Sequence, residues 1–309
     1  IQINGQPATW KTESAIGQLP ARIVIEAPIA PRTEIVVQWA GKVLKTFASG
    51  ESSPGVSPIS RPFASPPADP SWSSVDLNEL FNDRVTQIFR NEYRSPRSPY
   101  VSLAQPKQGI GGWAGTVNEL PDIDDSGLRA VAAGNGGRII LPNGVPFATP
   151  AEPGAKNIIF TSQWDNYPRE AIVPLFGRAR QLYLLMAGST NHMQSHLDNG
   201  EVIVTYRDGK TVRLALENPT TWWPIDQDYF IDDFQFRRPG PLPPRIDLKT
   251  GQIRLLDENT FKGKGRPIPG GAATVLSIPL DPKHELESIT VRSLANEVVI
   301  GLMSATLVR

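Results

Sequence analysis

The chain has 309 residues, enough for one large or two moderate cores, with 39% apolar and 20% charged residues, ordinary values for a folded globular protein. Lys plus Arg and Asp plus Glu both total 31, so the formal charge is zero, which argues against nucleic acid or an anionic membrane as the main partner. The absence of cysteine excludes disulfides, thiolate zinc sites and cysteine nucleophiles, and no apolar run approaches the ~20 residues that span a bilayer.

The chain begins Ile1-Gln2-Ile3-Asn4-Gly5, without Met or a signal peptide, and reads as a mature chain or a fragment. Thirty prolines and 26 glycines favour short strands and turns over long helices. Asn4-Gly5 between Ile1–Ile3 and Ala8–Lys11 predicts a hairpin. The β-branched runs Arg22–Glu26 and Glu34–Trp39 predict further strands, so residues 1–50 read as a small β-sandwich portion. Residues 51–72 carry prolines at a density that forbids a central strand and predict a Pro-rich linker. The main domain then covers 73–309, with long loops expected over 91–156 because glycines cluster at 109–115 and 134–137.

Strand signals strengthen from residue 157. Asn157–Ser162 and Glu170–Leu175 are short strands, and Arg180–Ala187 is nearly all apolar, as a strand buried on both faces would be. Val202, Val204 and Tyr206 alternate with Ile203, Thr205 and Arg207, then Asp208-Gly209 precedes Val212, Leu214 and Leu216. That pattern predicts a type I′ hairpin with Tyr206 facing the core. Strands follow at Gln252–Leu256, Thr274–Pro279, Ser288–Arg292 and Glu297–Val308. The expected fold is all-β, a jelly-roll or related sandwich.

Standard catalytic patterns are missing: there is no Gly-x-Ser-x-Gly elbow and no Walker loop, and Gly109–Ala114 fails the dinucleotide pattern at its last position. His192 and His196 have helical zinc spacing but lie in a predicted loop, and read as histidines without a metal role. Acidic residues cluster at Asp122, Asp124 and Asp125 and again at Asp226, Asp228, Asp232 and Asp233. They could supply an acid–base pair for a glycosidic bond, suit a hard cation such as calcium, or cap turns. Sugars need an aromatic platform beside amides or carboxylates. Gln163, Trp164, Asp165, Asn166 and Tyr167 offer one such set, and Trp222, Trp223 and Asp226 offer another, with Asn191 and His192 between them in sequence. The alternative is that these tryptophans pack a core or an interface.

The run Gly144–Phe147, Val173–Leu175, Leu182–Leu185, Tyr206–Gly209 and Trp222-Trp223 resembles the galactose-binding-like jelly rolls of secreted bacterial polysaccharide-degrading proteins. A closer resemblance is to the C-terminal region of a large secreted bacterial family known as domain of unknown function 4450. It is carried by Phe81–Asp83, Ser95–Tyr100, Asp124–Arg129, Phe160–Tyr167, Leu184–Asn191 and Trp222–Ile225. It covers about residues 75–309, and residues 1–45 look like the small sandwich that precedes that region. The resemblance implies a secreted, periplasmic or cell-surface setting, with carbohydrate and an upstream glycosidase-like toroid of the same protein as partners. It supplies no catalytic residues. The function expected is a non-catalytic β-sandwich region, binding carbohydrate or giving structural support. A glycoside hydrolase using a pair among Asp122, Asp124, Asp125, Asp165 and Asp226, or a scaffold packing on the toroid, are the alternatives.

Overall fold

The computed structural model describes residues 1–13, 22–25, 33–36, 63–91, 122–164, 166–190, 196–228, 242–254, 267–295 and 298–309. The chain divides into two units, Ile1–Glu51 and Ser52–Arg309. In the first, β1 (Gln2–Ile3) lies between β2 (Gln6–Pro7) and β5 (Ile35–Val36), while β3 (Trp10–Glu13) pairs with β4 (Arg22–Ile25). Asn4 and Gly5 both adopt positive φ, 48° and 76°, so the β1–β2 link is a two-residue I′ turn. Asn4 Oδ1 also accepts the Glu34 N–H at 2.8 Å, which holds β5 on the hairpin.

The second unit is an all-β sandwich. Its strands are β6 (Trp72–Ser74), β7 (Arg138–Ile140), β8 (Pro146–Ala148), β9 (Ile159–Ser162), β10 (Glu170–Pro174), β11 (Gln181–Ser189), β12 (Asp198–Tyr206) and β13 (Thr211–Glu217). They continue with β14 (Arg245–Asp247), β15 (Ile253–Arg254), β16 (Ala272–Pro279), β17 (Leu286–Ser293) and β18 (Val299–Val308). One sheet has the order β10-β17-β12-β13. The other runs β15-β14-β16-β11-β18-β6, with β9 sharing the outer edge of β18 beside β6. Each strand pair in the two sheets is antiparallel.

Strand β11 is buried on both faces, because side chains alternate across a strand. Leu182, Leu184 and Met186 enter the core between the two sheets. Tyr183, Leu185 and Ala187 enter a second core on the far side of the larger sheet. That second core is covered by helix α1 (Ser126–Gly134), the β7–β8 hairpin and a 3₁₀ turn at Val85–Gln87.

Three sequence expectations change. First, residues 122–156, expected as loop, hold α1 and the β7–β8 hairpin. The nine-residue helix is too short and glycine-rich to signal itself, and contacts at a distance in sequence fix it. Leu128 donates its N–H to the Leu248 carbonyl at 2.9 Å, and a Cβ on Gly127 would lie 2.2 Å from the Lys249 oxygen. Second, the described half of the linker rests on the sandwich. The Tyr183 hydroxyl donates to the Ala64 carbonyl at 2.8 Å, and Phe63 and Trp72 meet the Tyr183 ring edge-on. Third, the β12–β13 hairpin forms with Tyr206 buried, but its turn is not type I′. The Gly209 N–H bonds the Tyr206 carbonyl at 2.8 Å and Gly209 alone in the turn has positive φ, 83°, so this is a type I turn closed by a glycine bulge. Asp208 stays at negative φ, with its carboxylate on the Lys210 N–H at 3.2 Å.

Gly188 in β11 has a packing reason. A Cβ there would stand 2.0 Å from the Val299 oxygen and 2.7 Å from the Trp222 ring. Gly188→Ala is expected to lower unfolding stability by about 3 kcal/mol, read as a reduced denaturant midpoint with an unchanged slope.

Candidate functional site

Ser162 at the end of β9 and Ser189 at the end of β11 flank Val299 of β18 on its two sides. The two strands therefore leave the larger sheet at the same end. Asp198 and Glu217 pair at the start of β12 and the end of β13, and Gln163 reaches the smaller sheet by donating to the Ser293 carbonyl at 2.6 Å. One rim of the sandwich thus gathers the exits that precede residues 163–167 and 191–192.

The side chains on that rim turn inward. Trp164 is 3% exposed and lies in the second core with Phe160 and Tyr167. The Tyr167 ring tilts against Phe160 at 5.0 Å, and its hydroxyl donates to Asp83 at 2.7 Å. Trp222 and Trp223 are each 2% exposed. Trp222 fills the inter-sheet core against the backbone of Gly188, and the Trp223 indole N–H donates to the Asp228 carbonyl at 2.7 Å. Gln163 is buried as well, and Asn166 is exposed. Asp165, Asn191 and His192 lie outside the described residues. The exposed stacking face sought in Trp164, Trp222 and Trp223 is thus absent, because Trp164 packs in the second core, Trp222 in the core between the sheets, and Trp223 is equally buried beside Asp228.

Asp226 is buried near an arginine that sequence reasoning missed. Arg245 is fully enclosed. Its guanidinium donates to the carbonyls of Gln227, Pro224 and Ala272 at 2.6, 2.8 and 2.9 Å, which ties the irregular segment 222–228 to β14 and β16. No sequence signal marks this arginine, since it follows two prolines in an otherwise ordinary strand. Burial pushes the Asp226 carboxyl up to about 6, against the attraction of Arg245. Asp228 pairs with Arg254 at 2.9 Å.

The other candidate acids are engaged locally. Asp122 pairs with Arg90. Asp124 accepts the Ser126 N–H at 3.0 Å at the start of α1, and the Ser126 bonds hold its carboxyl below the ordinary value. Asp125 is buried and accepts from Arg129 at 2.9 Å and Asn157 at 2.7 Å. Among the described residues no group of three or more His, Asp or Glu is arranged to hold a metal ion.

The chain matches no protein-family model and no curated protein.

Two outcomes follow. Trp222→Ala and Trp223→Ala should each cost about 3–5 kcal/mol in denaturant unfolding, the range for a large buried aromatic. Asp226 titrates higher in the folded than in the unfolded chain, so between about pH 4 and 6 its contribution to stability falls as pH rises. Asp226→Asn should remove that slope and stabilise the protein at pH 7 relative to pH 4, by on the order of 3 kcal/mol. Thermal melts of both proteins across that range measure it.

Proposed function

We propose that this chain is a non-catalytic β-sandwich region of a larger secreted bacterial polysaccharide-processing protein, and that its role is structural support beside a glycosidase-like domain. The observation that carries this reading is the burial of Trp164, Trp222 and Trp223, of which Trp164 and Trp222 pack in the two cores. Aromatic rings spent on packing serve rigidity, whereas a sugar platform needs an open face. The partners of Asp122, Asp124, Asp125 and Asp228 support the same reading, since each carboxylate already fixes a backbone or balances an arginine. The secreted bacterial setting rests on the resemblance of residues 75–309.

A carbohydrate-binding role would fall on the rim where β9 and β11 leave the sheet, because Asn166 is exposed there. The acid–base alternative would need two carboxylates facing one cleft.

Incubation of the chain with plant and bacterial oligosaccharides, followed by reducing-end analysis, is expected to show no turnover. Asp125→Asn and Asp226→Asn should give the same flat trace. Hydrolysis by the wild type that disappears in either variant would replace this reading with a glycosidase.

A further inference from the structure

A groove of about 560 Å³ lies over the second unit, where the chain leaves β6 and passes the end of α1 and the segment after β8. That volume is within the range of small-molecule sites. Val75, Leu77, Phe81 and Pro150 supply apolar wall, and Asp76 and Glu152 supply charge, with no basic side chain in the lining. Both acids are solvent-exposed. Asp76 accepts the Asn78 N–H at 3.0 Å. The lining also includes Thr149, which is 4% exposed and whose hydroxyl has no hydrogen-bond partner. A Cβ on Gly136 would meet nothing within 4 Å, so the floor beside α1 is open backbone.

We propose that this groove binds a small organic ammonium compound, an amine carried on a short carbon skeleton. An ammonium brings three donors and no acceptor, which suits a lining whose charged side chains are both carboxylates. A cleft of one sign concentrates counter-ions of the other, so anions are repelled and neutral polyols gain nothing from the field. The apolar wall covers the methylene stem, as it does for lysine side chains on protein surfaces. A hard divalent cation needs a tighter cage of oxygens than two exposed carboxylates provide.

The test is an NMR titration of the full chain with 1,4-diaminobutane, with 1,4-butanediol as the uncharged match and calcium as the metal arm. Diaminobutane should shift amides of residues 74–81, 133–137 and 148–152, saturate at roughly millimolar concentration, and bind more weakly as salt rises. Combining Asp76→Asn with Glu152→Gln should weaken it about ten-fold. Ala133→Trp, at an exposed helix position, should block the groove and abolish the shifts while both charges remain. Thermal melts of both variants should match the wild type. Equal binding of the diol, preference for calcium, shifts that map elsewhere, or indifference to both variants would each overturn the assignment. So would no shift with diaminobutane at all.

Discussion

The fold depends on one constraint, that the larger sheet is a wall shared by two cores. In β11 and β16 neighbouring side chains enter opposite cores: Leu184 and Leu276 face the smaller sheet, while Leu185 and Val275 face the helix and hairpin layer. An unpaired charge on either face of β11 or β16 would lose its hydration without return. The constraint also sets the backbone. Gly188 has to be a glycine because β11 is pressed between the Val299 carbonyl and the Trp222 ring. Across β18, Leu185 and Met186 face Ser304 and Leu302, so Met303 is an extra residue in a bulge and still points into the second core.

Buried charges elsewhere differ in how far they are matched. Glu201, on the outward face of the smaller sheet, sits between Arg213 and Arg292, and Arg292 Nε reaches its Oε1 at 2.7 Å. Burial pushes the Glu201 carboxyl up, but the two arginines outweigh it and hold it below its ordinary value. Its stabilisation is present at neutral pH and fades as acid protonates it. Asp226 acts with the opposite sign, because for it burial outweighs the attraction of Arg245. Arg245 itself uses backbone carbonyls as partners, which is how a segment without regular structure stays at full burial.

The strands were legible where period and turn chemistry agreed. The alternation of Val202, Val204 and Tyr206 against Leu214 and Leu216 reads directly as one buried face, and the unbroken apolar run in β11 reads as two. What stayed hidden depended on contacts far apart in sequence. Helix α1 buries only Leu128, Arg129 and Ala132, too few to display a helical period, and its place is set by Leu248 and Lys249. The site was legible in position but not in orientation. Strand ends placed the exits of β9 and β11 on one rim, yet the direction of each indole is decided by space beside Gly188 or near Phe160, and no local pattern encodes that. Arg245 was silent because its partners are main-chain oxygens, which every sequence has.

The position of β18 has a kinetic consequence. Trp72 pairs with Val308, and β11 closes against the same strand, so β18 joins the earliest and the middle parts of the unit in a single element. Neither core is complete until that strand arrives. A sheet whose closure spans nearly the whole unit has a high contact order, and such topologies fold in milliseconds to seconds rather than microseconds. During that interval the inner edge of β11 and its two apolar faces stay open to other chains, so the fold's weakest moment is its own assembly.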